Sequence, residues 1–288
     1  MVLARLLEAK AVAEGIREKI KQEVASLGFR PVLVSLMIGE NAGAEAYVKS
    51  QGRLADELGI EFRFNKLPSA ISQDELVDFI ERLNRDDSVN GIIVQTPLPG
   101  QIDYKKVRRH ISPDKDAEGI NPANIGKVLL GQAKIIPCTA SAVMELLDYS
   151  GIELRGKEVV VVGFSEIVGK PLACLLLERL ATVSVCHIGT SEAGNLDKHV
   201  KEAEVLIVAV GKAGLVKGEW IKEGAVVVDV GINKVGDRIV GDVEFEPASR
   251  RASCITPVPG GVGPLTVTML MRNLLEAAKD QKSAPRKE

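Results

Sequence analysis

The sequence predicts an α/β protein of two domains, and three observations carry that reading. The first is KEVVVVGFSEIVGKP (157–171), where a β-branched run, Val159–Val162, meets a glycine turn and then an apolar helix, LACLLLERL. Such a run marks a strand buried on both faces of a parallel sheet. The second is repetition: TVSVCHIG (182–189), EVLIVAVG (204–211) and AVVVDVGIN (225–233) alternate with the helical patterns NLDKHVKEA (195–203) and KGEWIKEG (217–224). Alternation at this spacing builds βαβ units, so residues 139–264 read as a Rossmann-type dinucleotide-binding domain. The third is size, because 288 residues are long for one core and comfortable for two. Residues 1–138 with 265–288 are therefore assigned to the other domain.

Taken in order, a first helix is expected over Ala11–Leu27, ending near Gly28, and Pro31 then introduces a strand, VLVSLMIG (32–39). The loop GENAG leads to a helix at 44–59, closed by Gly59, and EFRFNKL (61–67) reads as the second strand. Over 72–84 the pattern is helical, with Ser72 as N-cap and Glu75 completing a capping box. GIIVQTPLPG (91–100) reads as a strand ending in a Pro-rich turn, followed by the weakly helical IDYKKVRRHI and a long loop over 112–126. A loop of that length leans functional or disordered. Thr139 is expected to cap the next helix. Beyond Asn233, DRIVGDV (237–243) reads as a hairpin arm, ITPVPGGVGPLT (255–266) as irregular chain, and Leu265–Lys279 as a last helix returning to the first domain. A frayed tail, DQKSAPRKE, is expected to end the chain.

The turn after Val162 has the chemistry of an anion site, since unpaired N–H groups and the helix dipole face it. Its motif is incomplete. The fingerprint G-x-G-x-x-G wants glycines where Ser165 and Val168 stand, so an ordinary βα turn stays open as the other reading. Net charge of −2 gives no reason to expect nucleic acid or an anionic membrane as partner, and 3% aromatics leave few stacking platforms. No run approaches a membrane span, and the N-terminus lacks a signal-peptide pattern. Four cysteines without C-x-x-C spacing argue against zinc and disulfides, which fits a reducing cytosol, so a cytoplasmic location is expected.

AYVKSQ with ADELGI, GIIVQTPLP, PDKDAEGINPANIGK, PCT, GKEVVVVGFSEIVGKPLA, ATVSVCH, DVGIN, GDVEFE and TPVPGGVGPLT follow one another along nearly the whole chain. In these motifs the sequence resembles the methylenetetrahydrofolate dehydrogenase/cyclohydrolases. The resemblance implies two α/β domains with a cleft between them, folate on the first and a nicotinamide dinucleotide on the second. It implies a catalytic set of Tyr47, Gln51, Gln95 and Glu118, with Tyr47 stacking on the pterin–aminobenzoate system. Val94 and Thr96 with Pro259, Gly260, Gly261, Val262 and Gly263 would frame the folate. Gly163, Phe164, Ser165, Ile188 and Ile232 would line the dinucleotide. Taken alone, Tyr47 reads as a helix-surface aromatic and Gln95 as a solvated strand end.

Departures from the family pattern shape the functional expectation. Ala44 replaces the serine of Ser-x-x-Tyr-x-x-x-Lys, and Gln51 stands where the catalytic lysine belongs. Lys49 is no substitute, because at about 100° per residue it points roughly 200° from Tyr47. KDVDG reads Lys115-Asp116-Ala117-Glu118-Gly119, Gly-Arg-Ser reads Gly163-Phe164-Ser165, His-Ser-Arg-Thr reads His187-Ile188-Gly189-Thr190, and PCTPxG reads 137–142 PCTASA. The expected reaction is oxidation of 5,10-methylenetetrahydrofolate to the methenyl form, with cyclohydrolase activity lost or weak. NAD is expected over NADP because apolar side chains replace the arginines that meet a 2′-phosphate, although Lys170 keeps NADP open. The alternative is a non-catalytic folate-binding paralogue or regulatory subunit. The family also implies a homodimer, and no metal is expected.

Overall fold

The computed structural model describes residues 3–283. β1 (Arg5–Leu6) leads to α1 (Ala9–Ser26), β2 (Val32–Ile38), α2 (Ala42–Leu58), β3 (Glu61–Leu67) and α3 (Gln73–Arg85). β4 (Gly91–Val94) precedes α4 (Tyr104–His110), α5 (Pro122–Leu129) and α6 (Cys138–Ser150). Next come β5 (Glu158–Val162), α7 (Gly169–Glu178), β6 (Thr182–Cys186), α8 (Ile188–Glu192) and α9 (Leu196–Glu202). β7 (Val205–Val208), β8 (Val226–Asp229), β9 (Asn233–Val235), β10 (Arg238–Val240), α10 (Phe245–Ser249), β11 (Cys254–Ile255) and α11 (Val262–Ser283) complete the chain. Two compact units result: the chain up to Glu14 with Thr139–Thr266, and Gly15–Cys138 with the chain from Val267 on.

The first unit is built on six strands in the order β1-β11-β8-β7-β5-β6, every pairing parallel. Val160 and Val162, like Leu206 and Val208, lie two apart and so share a face. They pack with Leu196 and Val200 of α9, and with Val216, Ile221 and Val227. Each such side chain, fully buried, contributes about 1.5–3 kcal/mol. The sequence reading differs here in several places. Residues 1–14 were assigned to the other domain, but β1 pairs with β11 (Arg5↔Cys254) and carries that segment into this unit. Stretch 217–224 holds only a 3-10 turn at Gly218–Trp220, because Trp220 and Ile221 anchor the core rather than follow a helical period. Within 255–266, expected to be irregular, Ile255 belongs to β11 and the last helix starts at Val262. β9 and β10 form the antiparallel hairpin.

The second unit carries a parallel sheet of order β3-β2-β4. All seven residues of β2 are buried, as a central strand covered on both faces requires. Val34 and Leu36 of β2 pack with Leu76 and Ile80 of α3, Ile92 and Val94 of β4, and Val107 of α4. Caps set the helix ends. Asn41 accepts from Ala44 N at the start of α2, and Gly59 closes it at φ 77°; Ser72 and Glu75 form the capping box of α3. The expected loop at 112–126 is instead ordered by a 3-10 turn at Pro113–Lys115 and by α5, whose N-cap is Asn121 with Pro122 following. Thr139 does not cap α6, which already begins at Cys138. Of the expected frayed tail, Asp280–Ser283 continue α11, and 284–288 lie outside the described residues. Among the described residues no helix is long and apolar enough to cross a membrane, and no cluster of His, Cys, Asp and Glu could hold a metal ion.

Candidate active site and dinucleotide turn

In the second unit, Asn41, Gly43, Ala44, Tyr47, Val94, Gln95, Thr96, Pro97 and Glu118 line a cavity of about 330 Å³. Three pieces of backbone place them. α2, held at its start by the Asn41 cap, presents Tyr47 and, one turn later, Gln51. β4 ends at Val94, and Gln95 N donates to Leu36 O, which fixes the strand end. Glu118 follows the turn after Pro113–Lys115, where Asp116 accepts from Gly119 N (3.1 Å), Asn121 N (2.7 Å) and Asn124 Nδ2 (2.9 Å). Gly119 is required there: φ is +74°, and a Cβ would lie 2.5 Å from the Ile136 carbonyl carbon.

Side chains tie the site together from behind. Gln95 Nε2 donates to Ser35 Oγ and to Gln51 Oε1, both at 3.0 Å. All three are buried, and Gln51 Nε2 has no hydrogen-bond partner. Two amides and a hydroxyl do not titrate near neutrality, so they hold geometry without moving protons. Glu118 can titrate. Burial, then the charge of Asp116, pushes its carboxyl up to about 8, opposed by a hydrogen bond from Tyr104 Oη to Oε2 (3.3 Å). Burial chiefly, and then Cys138 and Glu118, holds the Tyr47 phenol well above its ordinary value, so it stays neutral. Ser35 and Tyr104 were missed from sequence. Ser35 had a signal, a lone hydroxyl within the apolar VLVSLMI; Tyr104 had none.

The first unit holds the turn between β5 and α7. Gly163 has φ +126° and a Cβ there would lie 2.3 Å from Ala209 O; a Cβ on Gly169 would lie 2.1 Å from Gly163 O. Ser165 Oγ accepts from Val168 N (3.1 Å) and Gly169 N (3.4 Å). The glycine cradle and the N-terminus of α7 fit a dinucleotide's pyrophosphate. Phe164, Ile188 and Ile232 stand exposed, and Lys170 Nζ lies 4.6 Å from the Phe164 ring centroid. The Phe164 and His187 rings are 6.1 Å apart. Pro259–Gly261 are in this unit too, between β11 and α11, and Val262 and Gly263 open α11, with a Cβ position on Gly263 3.6 Å from Ile232 Cδ1.

A pair of buried carboxylates that the sequence reading did not single out shapes the neighbouring loops. Asp229 accepts from Gly231 N, Asp242 N and Val243 N at 2.8–3.0 Å. Asp242 accepts from Val210 N, Gly211 N, Lys212 N and Asn233 Nδ2 at 2.7–2.9 Å. Burial pushes the Asp229 carboxyl up to about 6 against those N–H groups. Glycine is needed on both sides, since a Cβ on Gly231 or Gly241 would lie 2.2 Å from Asp242 Cγ or 1.9 Å from Asp229 Oδ2. The pattern D-x-G…G-D was the available signal.

Comparison with known proteins also divides the chain in two, with the boundary between 118 and 137 but with 7–14 and 267–282 on the other side from the compact units. Residues 7–118 match the family model for the tetrahydrofolate dehydrogenase/cyclohydrolase catalytic domain, and 137–282 that for its NAD(P)-binding domain. Bifunctional protein FolD 2 of Geobacter metallireducens is 48% identical over 281 residues, covering 96% of this chain and 98% of that protein. The bifunctional methylenetetrahydrofolate dehydrogenase/cyclohydrolase of Campylobacter jejuni superposes with a TM-score of 0.93 at 42% identity, covering 96% and 99%. The Trypanosoma brucei enzyme, solved with NADP and an inhibitor, does so with a TM-score of 0.93 at 41% identity, covering 99% and 100%.

Proposed function

The chain belongs to the tetrahydrofolate dehydrogenase/cyclohydrolase family, and we propose that it oxidises 5,10-methylenetetrahydrofolate to the methenyl form while having lost most or all of the hydrolysis step. The observation that carries this reading is the 330 Å³ cavity, where Tyr47, Gln95 and Glu118 meet while Gln51 occupies the family's lysine position behind them. Folate binds the second unit, with Tyr47 stacking on the ring system and Glu118 accepting from the pterin's donor edge. The dinucleotide binds the first unit, at Gly163, Phe164, Ser165, Ile188 and Ile232. When bound, it supplies the hydride acceptor. Oxidation asks the protein for proximity and orientation, which the Ser35–Gln95–Gln51 lock supplies without a titrating group. Hydrolysis needs a base for water, and a glutamine amide cannot take the proton.

NAD is favoured over NADP, because exposed Phe164 and Ile188 offer a 2′-phosphate no guanidinium fork. Edge strand β6, with half-buried Val183 and Val185 beside exposed Leu177 and Leu180, supports a homodimer. Free thiols at all four cysteines support a cytoplasmic location.

The test is absorbance of the methenyl product when purified protein meets methylenetetrahydrofolate with each nicotinamide cofactor in turn. Methenyl product is expected to accumulate faster with NAD⁺ and to decay no faster than in buffer. Decay catalysed at a rate comparable with oxidation would overturn the loss of hydrolysis. Folate binding by calorimetry with no oxidation by either cofactor would identify a non-catalytic paralogue.

A further inference from the structure

Glu118 is one methylene longer than the aspartate of the family's KDVDG loop, so its carboxylate has one more rotatable bond to fix before it can meet a ligand. Its loop neighbours do not fix it. Asp116 is spent on Gly119 N, Asn121 N and Asn124 Nδ2, and Lys115 Nζ donates to Leu83 O (3.0 Å) and Asp86 O (2.7 Å). Help comes from α4 instead. Tyr104 is the first residue of that helix, which Asp103 caps by accepting from Lys105 N, and its ring packs against the core cluster that contains Ile102, Val107 and Ile111. From that anchored ring the hydroxyl donates to Glu118 Oε2.

We propose that Tyr104 is a positioning residue, holding the longer Glu118 carboxylate at the cavity wall in the orientation that accepts a pterin's donors. The ligand half of this rests on the folate reading above. The groups facing Glu118 are Asp116 on its own loop, Tyr47 from α2, Cys138 at the start of α6 and Tyr104 from α4, with Arg108 acting on Tyr104. Burial and then the Asp116 charge raise the carboxyl's proton affinity, and the Tyr104 hydrogen bond lowers it. Removing that bond therefore keeps Glu118 protonated, and so unable to accept with both oxygens, to a higher pH.

Tyr104→Phe deletes the hydroxyl and keeps the ring. In ligand-free protein the Glu118 carboxyl, assigned by loss of its signal in Glu118→Gln, is titrated by carbon-13 NMR; its midpoint is expected to rise by about one unit in Tyr104→Phe. Site-specific 3-fluorotyrosine at position 104, a stronger donor of almost unchanged size, should lower it. Tetrahydrofolate affinity at pH 7.5, read by calorimetry, should fall about tenfold in Tyr104→Phe. In a Glu118→Asp background, whose shorter arm falls away from the hydroxyl, the same change should have less than a twofold effect. An unmoved midpoint, or an equal loss of affinity in both backgrounds, overturns the proposal. Wild-type protein that binds no tetrahydrofolate overturns the folate reading instead, and the two titrations still decide whether Tyr104 holds the carboxylate.

Discussion

Around the cavity of the second unit, position is set by side chains gripping side chains: Gln95 holds Ser35 and Gln51, and Tyr104 holds Glu118. At the turn of the first unit it is set by close backbone approach, with Ser165 Oγ accepting from Val168 N and Gly169 N. Gly163 closes on Ala209 O and Gly169 on Gly163 O, while the side chains pointing outward, Phe164 and Ile188, carry almost no hydrogen-bonding function. The two arrangements tolerate change differently. A turn defined by missing Cβ atoms keeps its shape whatever its exposed side chains become, so recognition there can drift without loss of fold. A pocket defined by a polar network must keep each buried group satisfied. Gln51 meets that condition at its carbonyl oxygen only, its Nε2 being left without a partner, while abandoning the chemistry of a lysine.

The largest expected effect breaks the polar network in a productive direction. Gln51→Lys should raise methenyltetrahydrofolate hydrolysis by about 10²–10⁴-fold, the usual worth of general acid–base help. An ammonium in a fully buried position also carries a desolvation penalty, so thermal stability should fall in the same variant. Product absorbance and a melting curve measure the two together. A melting loss with no gain in hydrolysis would show that this pocket no longer supports the step even with the lysine restored.

Next in size is the backbone lock. Gly163→Ala sets a Cβ 2.3 Å from Ala209 O at φ +126°, combining strain of about 1–3 kcal/mol with overpacking of about 1–3 kcal/mol. Dinucleotide affinity should drop by two orders of magnitude or more, while tetrahydrofolate affinity, which belongs to the other unit in the proposed function, stays within about twofold. Calorimetry with each ligand on one protein sample reads both. Equal losses for the two ligands would mean that the units do not divide the binding.

How far these features were legible in sequence follows from the range of the forces behind them. β3 matches its predicted bounds, 61–67, because Gly59 and Pro68 close it off locally. The capping box at Ser72 is equally local. β1 was invisible: two residues become a strand only by pairing with Cys254 and Ile255, some 250 positions away. α5 carried its signal in Asn121-Pro122, a capping residue before a proline, but eight residues are few for a periodic pattern. In the site, resemblance marked Tyr47, Val94, Gln95, Thr96 and Glu118 of the cavity's lining but not Asn41, Gly43 or Pro97, whereas Ser35 and Tyr104 act from the next layer. Their roles depend on strand register and on where α4 lands, which no motif records.

The smallest expected effect sharpens the comparison on the side where change is tolerated. Phe164 is 54% exposed, so Phe164→Arg should leave the melting temperature nearly unchanged, losing only the contacts with Lys170 and His187. A guanidinium there offers a planar fork to a 2′-phosphate, and it frees Lys170 from the aromatic face it now covers. One new charge-assisted contact at an open site should raise kcat/KM for NADP⁺ by about tenfold. The gain should appear mainly in KM, because the phosphate is remote from the reacting carbon and is bound equally in ground and transition states. NAD⁺ lacks the group and should change by less than about twofold. The measurement is kcat/KM for both cofactors at one ionic strength, repeated at higher salt, where the NADP⁺ gain should shrink through screening. A wild-type protein that already prefers NADP⁺, with no gain on substitution, would locate phosphate recognition at Lys170 and leave Phe164 as a platform for that lysine.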